Sequence, residues 1–362
     1  MKIGIDARLY GLKNRGLGRY IQKLVDGLIK ADQKNHYVVF LTKDNIDLLK
    51  TSATNVTKVL LDVRWYSFKE QFKVPQIINQ SQVDLMYFPH FNVPLTYHKK
   101  FIVTIHDLII DHFPDSRATT LPLWLYKIKL LVYKRIVKHT IKKAVKIITP
   151  SNFVKDDLIK LYQVPENKIK VIHEGYSLKE DSPTLDLSKF KINKPYLLYV
   201  GAAYPHKNLE RLIKVFQKLN SQANYQLVLA GETEYFYKKL KEKINKENVI
   251  FTGFIPDNGL KALYQQALVY VIPSFYEGFG LTPIEAQVNG VPVVSSNYTA
   301  LPEVLNDSAI FFKPDDENEM FGKIQLVLEN RALQEQLIKK GYENIKRFSW
   351  EKMAAEVLKL FV

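Results

Sequence analysis

Short apolar runs of strand length recur along the chain, separated by polar or amphipathic stretches long enough for a helix. In the first half they are KIGIDARL, HYVVFLT, VDLMYFP, FIVTIHD, VKIITPS and KIKVIHEGY. In the second they are PYLLYVG, YQLVLAGE, NVIFTGFIP, ALVYVIPS, VPVVSSN and AIFFKPDD. Nearly continuous apolar runs read as strands covered on both faces, and helix-length spacers between them indicate parallel pairing. The pattern predicts two successive α/β series, each a Rossmann-like parallel sheet. The polar, aperiodic stretch SLKEDSPTLDLSKFKINK, residues 177–194, reads as the linker. It bounds an N-terminal domain at 1–176 and a C-terminal domain at 195–348. Ser349 is placed to cap a last amphipathic helix, about 349–362.

Three strand-to-helix junctions carry candidate chemistry. In the most informative, Pro273–Gly290, Glu277 ends an apolar strand, the loop Gly278-Phe279-Gly280 follows, and a helix opens through Leu281. Thr282, Pro283 and Glu285 read as an N-cap, a first-position proline and the acidic member of a capping box, and Gly290 and Pro292 stop the helix. A strand, a glycine loop and a helix N-terminus form an anion site, because unpaired N–H groups and the positive dipole end point at the loop. Glu285 is equally a plain capping residue. Glu277 precedes the glycines and has no such local duty. Two carboxylates bracketing a phosphate-type loop match a ligand with both hydroxyls and phosphates, as in a nucleotide sugar. At the second junction, VGAAYPHKNLERL, Asn208 is placed to cap the helix and Lys207 precedes it. At the third, Gly16 and Gly18 sit where a helix begins with Arg19 on its first turn, outside the G-x-G-x-x-G spacing. His106 ends FIVTIH, where open α/β sheets bind ligands, with Asp107 next to it to orient the ring. His90 lies on the same rim.

The pattern EGFGLTPIE, followed by NGVPVVSSNYTALPEV, resembles the C-terminal domain of retaining glycosyltransferases of the GT-B fold, family 4. With IGIDARLYG, GLGRY and YVGAAYPHKNLERL, the chain looks most similar to bacterial mannosyltransferases of surface-polysaccharide synthesis. The resemblance implies two Rossmann-like domains facing a cleft, with the C-terminal helix crossing back to the first. It implies that Lys207 and the glycine loops, Gly16 and Gly18 among them, approach the donor diphosphate. Glu285 would accept ribose hydroxyls and Glu277 a sugar hydroxyl. Backbone groups of Gly278, Phe279, Gly280 and Leu281 would touch sugar and phosphates, Phe254 and Ile255 the nucleobase, and His106 the transferred sugar. Catalytic weight then rests on His106, Glu277 and Lys207. Many family members carry an arginine where this chain has Ala202, so His206 or Arg19 is the substitute, or backbone N–H groups carry more of the charge. The donor expected first is GDP-mannose, then a UDP-sugar, with a glycan or lipid-linked glycan as acceptor.

Composition narrows the alternatives. A chain of 362 residues with 46% apolar and 25% charged residues suits a two-domain globular protein. It has no cysteine, which removes disulfides, thiolate metal sites and a cysteine nucleophile. It contains no D-x-D and no clustered metal ligands; a metal-free transfer without a cofactor is expected. KIGIDARLY opens the chain on a strand rather than a leader, and no apolar run is long enough to span a bilayer, so a cytoplasmic protein is expected. The net charge of +15 is concentrated, since ten Lys and Arg and no acidic residue lie between Asp115 and Asp156. On a helical wheel Tyr126, Leu130, Tyr133, Val137, Ile141 and Ala144 form one apolar stripe, with Lys127, Lys134, Arg135, Lys138, Lys142 and Lys146 opposite. That face is either solvated or a contact for anionic lipid at the inner face of the plasma membrane. A catalytically silent GT-B subunit and a basic nucleic-acid-binding protein are the rival readings, the second without a recognised binding motif.

Overall fold

A computed structural model describes residues 1–114, 119, 121–176, 186–221, 224–232, 235–244 and 247–361. Residues 177–185 of the expected linker lie outside the described residues. The chain divides into two compact units, Met1–Gly175 with Phe348–Val362, and Tyr176–Arg347.

The first unit is built on β1 (Lys2–Asp6), β2 (His36–Leu41), β3 (Val56–Leu60), β4 (Leu85–Phe88), β5 (Phe101–Thr104), β6 (Lys146–Thr149) and β7 (Ile169–Val171). They lie in the order β3-β2-β1-β4-β5-β6-β7, every pair parallel. Strands at the centre are buried at every position, as in β4 and β5, which is why they read as unbroken apolar runs. The exception is β3, which the pattern did not predict. It pairs only with β2, three of its five residues face solvent, and half-polar VTKVL lacks the signature of a doubly covered strand.

The second unit repeats the plan with β8 (Tyr196–Val200), β9 (Gln226–Ala230), β10 (Val249–Gly253), β11 (Val269–Ile272), β12 (Val293–Ser296) and β13 (Ala309–Phe312). The order is β10-β9-β8-β11-β12-β13, again parallel throughout. Each sheet starts in its middle, runs to one edge, then returns to build the other half. The order reverses between β1 and β4 in the first unit and between β8 and β11 in the second. At such a switch point the following loops part to opposite faces and leave a crevice beyond the strand ends.

The last helix, Trp350–Leu358, belongs to the first unit. The Ser349 side chain accepts from the Lys352 N–H at 3.3 Å, capping it as expected. Two glycines let it dock. A Cβ on Gly27, in the helix Arg15–Ala31, would stand 2.7 Å from that of Ala354, and one on Gly175 would stand 2.2 Å from the Trp350 nitrogen.

Candidate active site

The switch point of the second unit brings Lys207 and Glu277 together. Lys207 ends the 3-10 turn Pro205–Lys207 after β8, and Glu277 lies on the loop after β11. The ammonium of Lys207 donates to both carboxylate oxygens of Glu277 at 2.8 Å. Both side chains are mostly buried, 17% and 14% exposed. The Ser274 hydroxyl donates to Oε1 of Glu277 at 2.6 Å, and the Glu277 N–H donates to Oγ1 of Thr299 at 3.0 Å.

The two loops are fastened on both sides of the lysine. Asn208 stands at the N-cap of the helix Leu209–Asn220, as expected, but its side chain makes no capping bond. Its backbone takes the left-handed conformation, φ 60°, which asparagine tolerates, and its amide donates to the carbonyls of Pro273 (3.1 Å) and Pro314 (2.7 Å). On the other side the Phe275 N–H donates to the His206 carbonyl at 2.8 Å. Lys207 is thus held by backbone contacts from its neighbours, a preorganised cation.

The capping box expected after the glycine loop is also absent in its predicted form. The N-cap is Gly280, at φ 105° and without a side-chain cap bond, and the helix runs Leu281–Val288. A side chain at Gly280 would be strained and would meet Leu301 at 2.9 Å. Thr282 sits inside the first turn, where its hydroxyl accepts from Tyr270 at 2.7 Å. Glu285 is a turn further on and accepts from the Tyr264 hydroxyl at 3.1 Å. Two buried tyrosines from the β10–β11 region therefore orient this helix, a role with no local sequence signal.

Phe279 is buried, as is Ile255, whereas Phe254 is 71% exposed at the end of β10. From β10 to β8 is two strand spacings, about 10 Å, a separation a nucleotide can bridge between base and diphosphate. His206 is buried and stacked on Tyr204 with ring centroids 5.8 Å apart. Burial and the neighbouring Lys207 push its pKa down to about 3. It is neutral at pH 7 and does not replace the charge missing at Ala202.

In the first unit His106 follows β5, and the ring is oriented by Glu174 rather than by Asp107. Nδ1 lies 3.1 Å from Oε1 of Glu174, and Nε2 lies 2.9 Å from the Pro89 carbonyl. A carbonyl and a carboxylate both accept, so the geometry favours the ring that donates from both nitrogens, its protonated form. Burial alone would lower its pKa, but the hydrogen bond and charge of Glu174 outweigh burial and raise it. The edge of Tyr20 packs on the ring at 4.5 Å. Glu174 follows the last strand of its sheet, a rim position that sequence reasoning passed over. A folded-state pKa above the unfolded value of about 6.5 means that the pair contributes stability in full below that pH. The contribution is lost as pH rises through the folded pKa. Glu174→Gln is expected to lower the His106 pKa in an NMR histidine titration; an unmoved titration would remove Glu174 as the cause.

His90 is the opposite case. Burial first, then His106 and Arg8, lower its pKa to about 3, and its Nε2 is 3.0 Å from the Tyr66 hydroxyl. Gly16 is exposed with nothing near its missing side chain, while a Cβ on Gly18 would stand 2.1 Å from the Gly11 carbonyl. Gly18 therefore closes its own loop, and Gly16 leaves a free approach. Among the described residues no group of three His, Asp or Glu side chains could hold a metal ion.

Two units, each a doubly wound parallel sheet with a switch point, have the architecture of the GT-B fold. Residues 14–180 match the family described as Glycosyltransferase Family 4, and residues 186–344 match Glycosyl transferases group 1. Among curated relatives, the chain is 30% identical over 302 residues to the O-antigen chain mannosyltransferase RfbU of Salmonella typhimurium, covering 82% of this chain and 79% of that one. It is 26% identical over 372 residues to the O-antigen chain mannosyltransferase B of Escherichia coli, covering 96% and 95%. Sucrose-phosphate synthase from Thermosynechococcus elongatus shares the fold with a TM-score of 0.77 at 20% identity, covering 100% of this chain and 98% of that one. Anabaena Alr3699/HepE, solved in complex with UDP-glucose, does so at 0.73 and 17%, covering 99% of each. The chain belongs to the family 4 glycosyltransferases and is a glycosyltransferase of the GT-B fold.

Proposed function

We propose that this enzyme transfers mannose from GDP-mannose to a glycan or lipid-linked glycan acceptor, with retention of configuration and without a metal ion. The observation that carries the reading is the Lys207–Glu277 pair at the β8/β11 switch point, and the mannosyltransferase relatives support the choice of sugar. An ammonium has three donors. Lys207 can turn one toward a diphosphate while keeping a hydrogen bond to Glu277, so the carboxylate stores the cation in position and then shares it. Glu277 takes a sugar hydroxyl on its other lone pairs, and Glu285 a ribose hydroxyl. N–H groups of the loop Gly278–Gly280 and of Leu281 contact the phosphates and sugar, and the backbone at Phe254 and Ile255 the base.

In the reaction, the bond from the anomeric carbon to the diphosphate oxygen breaks while the acceptor oxygen bonds to that carbon on the same face. The acceptor proton passes to the departing diphosphate. Lys207 and the helix N-terminus at Leu281 stabilise the charge that develops there. The His106–Glu174 pair is the first unit's candidate contribution, a hydrogen-bonded imidazole at the strand ends of its sheet.

The cytoplasm is the proposed compartment, with peripheral contact to anionic membrane through Lys127, Lys134, Arg135, Lys138 and Lys142. Among the described residues no helix is long and apolar enough to cross a membrane.

A thermal-shift panel of GDP-mannose, UDP-glucose, ADP-glucose and dTDP-glucose, each with and without EDTA, tests the donor. At 100 times its dissociation constant a ligand adds about 2.7 kcal/mol, a shift of a few degrees. GDP-mannose is expected to give it, with EDTA making no difference. A shift confined to UDP-glucose would replace the donor, and loss of the shift in EDTA would overturn the metal-free reading.

A further inference from the structure

The side chain of Glu277 is held by Lys207 and Ser274, and its backbone by a separate segment of the second unit. The Thr299 hydroxyl accepts from the Glu277 N–H at 3.0 Å, and the Ala300 N–H donates to the Glu277 carbonyl at 3.4 Å. Thr299 does this from φ 60°, the left-handed region, where a β-branched residue is an outlier. Strain of that kind persists only where the surroundings over-determine it, and it collects at functional sites. Here the surroundings are a polar network behind the helix Leu301–Leu305, which follows at once. Arg347 donates to the Glu303 carbonyl through Nη2 at 3.1 Å and to the Val304 carbonyl through Nη1 at 3.3 Å. The Asn344 amide nitrogen donates to the Val304 carbonyl at 3.0 Å and to Oε1 of Gln287 at 2.9 Å, while its oxygen accepts from Arg347 at 2.7 Å. The Gln287 nitrogen donates to the Ser308 hydroxyl at 2.6 Å and to the Ser308 carbonyl at 3.2 Å. Gln287, Asn344 and Ser308 are buried. Gly341 lets the helix Arg331–Ile345 come this close, since a Cβ there would stand 3.2 Å from Gln287.

We propose that Thr299 is the positioning residue for Glu277, and that Gln287, Asn344 and Arg347 form the clamp that keeps Thr299 in its strained conformation. The contacts run without a break from clamp to carboxylate. Arg347 and Asn344 fix the carbonyls of Glu303 and Val304, the Val304 N–H donates to the Ala300 carbonyl at 3.0 Å, and Thr299 and Ala300 meet the backbone of Glu277. The same short helix supplies Leu301, the side chain that a Cβ at Gly280 would meet. One pinned segment thus shapes both Glu277 and the end of its glycine loop. Glycine at position 299 would take this φ without strain, but it has no acceptor for the Glu277 N–H; threonine accepts the strain and supplies the oxygen. Every amide end of Gln287 and Asn344 is engaged, and a buried network satisfied in this way is rigid. Rigidity matters because misplacing a binding group by about 1 Å can slow a reaction by up to about a hundredfold. The positioning serves the sugar-hydroxyl contact proposed above for Glu277 and rests on that reading.

Two measurements on the full chain test it. Hydrogen exchange, read by mass spectrometry on the peptide from Phe275 to Leu281, reports the backbone of Glu277 with no sugar present. Thr299→Val keeps the shape and removes the acceptor, and is expected to speed exchange in that peptide about tenfold. Thr299→Ser keeps the hydroxyl and should stay within about threefold of wild type. Arg347→Met, on a partly exposed side chain, is expected to speed the same peptide by about threefold to tenfold. Binding of GDP-mannose compared with GDP then isolates the sugar. Thr299→Val is expected to bind GDP-mannose about tenfold more weakly and GDP as wild type does, whereas a general loss of structure would weaken both alike. If the donor panel returns UDP-glucose, UDP-glucose and UDP take their places. Unchanged exchange in Thr299→Val, or equal weakening of nucleotide and nucleotide sugar, would overturn the positioning of Glu277 by Thr299. Unchanged exchange in Arg347→Met would overturn the clamp. Wild-type binding of GDP-mannose by Glu277→Ala would remove the proposed role of Glu277 itself, and exchange would still decide whether Thr299 holds its backbone.

Discussion

Lys207→Ala is expected to lower kcat/KM for sugar transfer by roughly 10²–10³-fold, the usual effect of removing one preorganised donor aimed at developing charge. The charge of the departing diphosphate must be met as the glycosidic bond stretches, and Lys207 is the cation the second unit places at its switch point. Its position is set before any donor arrives, by the Asn208 amide on two carbonyls and the His206 carbonyl on Phe275. His206 gives no second charge, being buried and neutral. Lys207→Arg is expected to recover little, because a planar guanidinium does not fit a place shaped around a point charge on Glu277, whose carboxylate is itself held by Ser274. The cost to folding should be smaller, about 1–3 kcal/mol for a mostly buried carboxylate that keeps its Ser274 bond, and calorimetry of the purified variant separates the two effects. A variant retaining more than a third of wild-type transfer would remove Lys207 from the chemistry.

The largest expected loss of stability belongs to Arg8, which the sequence did not single out. Its side chain is fully buried just beyond β1, between Asp6 and Glu70, also fully buried. The guanidinium donates to Asp6 through Nε at 2.9 Å and Nη2 at 2.7 Å, and Nη2 lies 2.8 Å from Oε1 of Glu70. It donates to the Val63 carbonyl and lies under the Trp65 ring at 4.2 Å. Arg8→Ala would leave two carboxylates buried without their cation, and breaking a buried network in this way costs about 3–5 kcal/mol. That is a large part of the 5–15 kcal/mol that holds a typical domain. All three tryptophans, Trp65, Trp124 and Trp350, lie in the first unit, so denaturant unfolding followed by their fluorescence reports on that unit. Arg8→Met combined with Glu70→Gln is expected to recover part of the loss, because only one carboxylate then remains. An Arg8→Ala midpoint within about 0.5 kcal/mol of wild type would show that the network is dispensable. Burial raises the pKa of Glu70 even in the wild type, against the pull of Arg8, so its carboxyl is the group expected to take up a proton in the variant.

Much of this molecule is legible along the chain. Parallel strands covered on both faces must be largely apolar, so runs such as HYVVFLT and FIVT announce themselves by local composition. Glycine loops announce themselves because a backbone such as that at Gly280 excludes side chains. These local rules placed two Rossmann-like series, Ser349 at the head of the last helix, and Lys207 and Glu277 at loops following strands. What they did not decide is which partner each polar group takes. Asn208 stands at an N-cap and Thr282 was expected at one, yet their side chains bond to Pro273, Pro314 and Tyr270. His106 is oriented by Glu174, 68 residues away, and not by its neighbour Asp107. The edge strand β3 escaped notice because only one flank pairs and its residues need not be apolar. Leu131 and Trp124 lie outside the apolar stripe of the basic helix, and the packed helix shows both facing outward. By itself the sequence determined the alternation of strands and helices, the glycine turns and the charge of the basic helix, since each depends on residues within one or two turns of chain. Tertiary structure alone decided the Lys207–Glu277 bond, the charge states of His106, His90 and His206, and the outward face of the basic helix. Each of those depends on groups far apart in sequence, and on how much water the fold leaves around them.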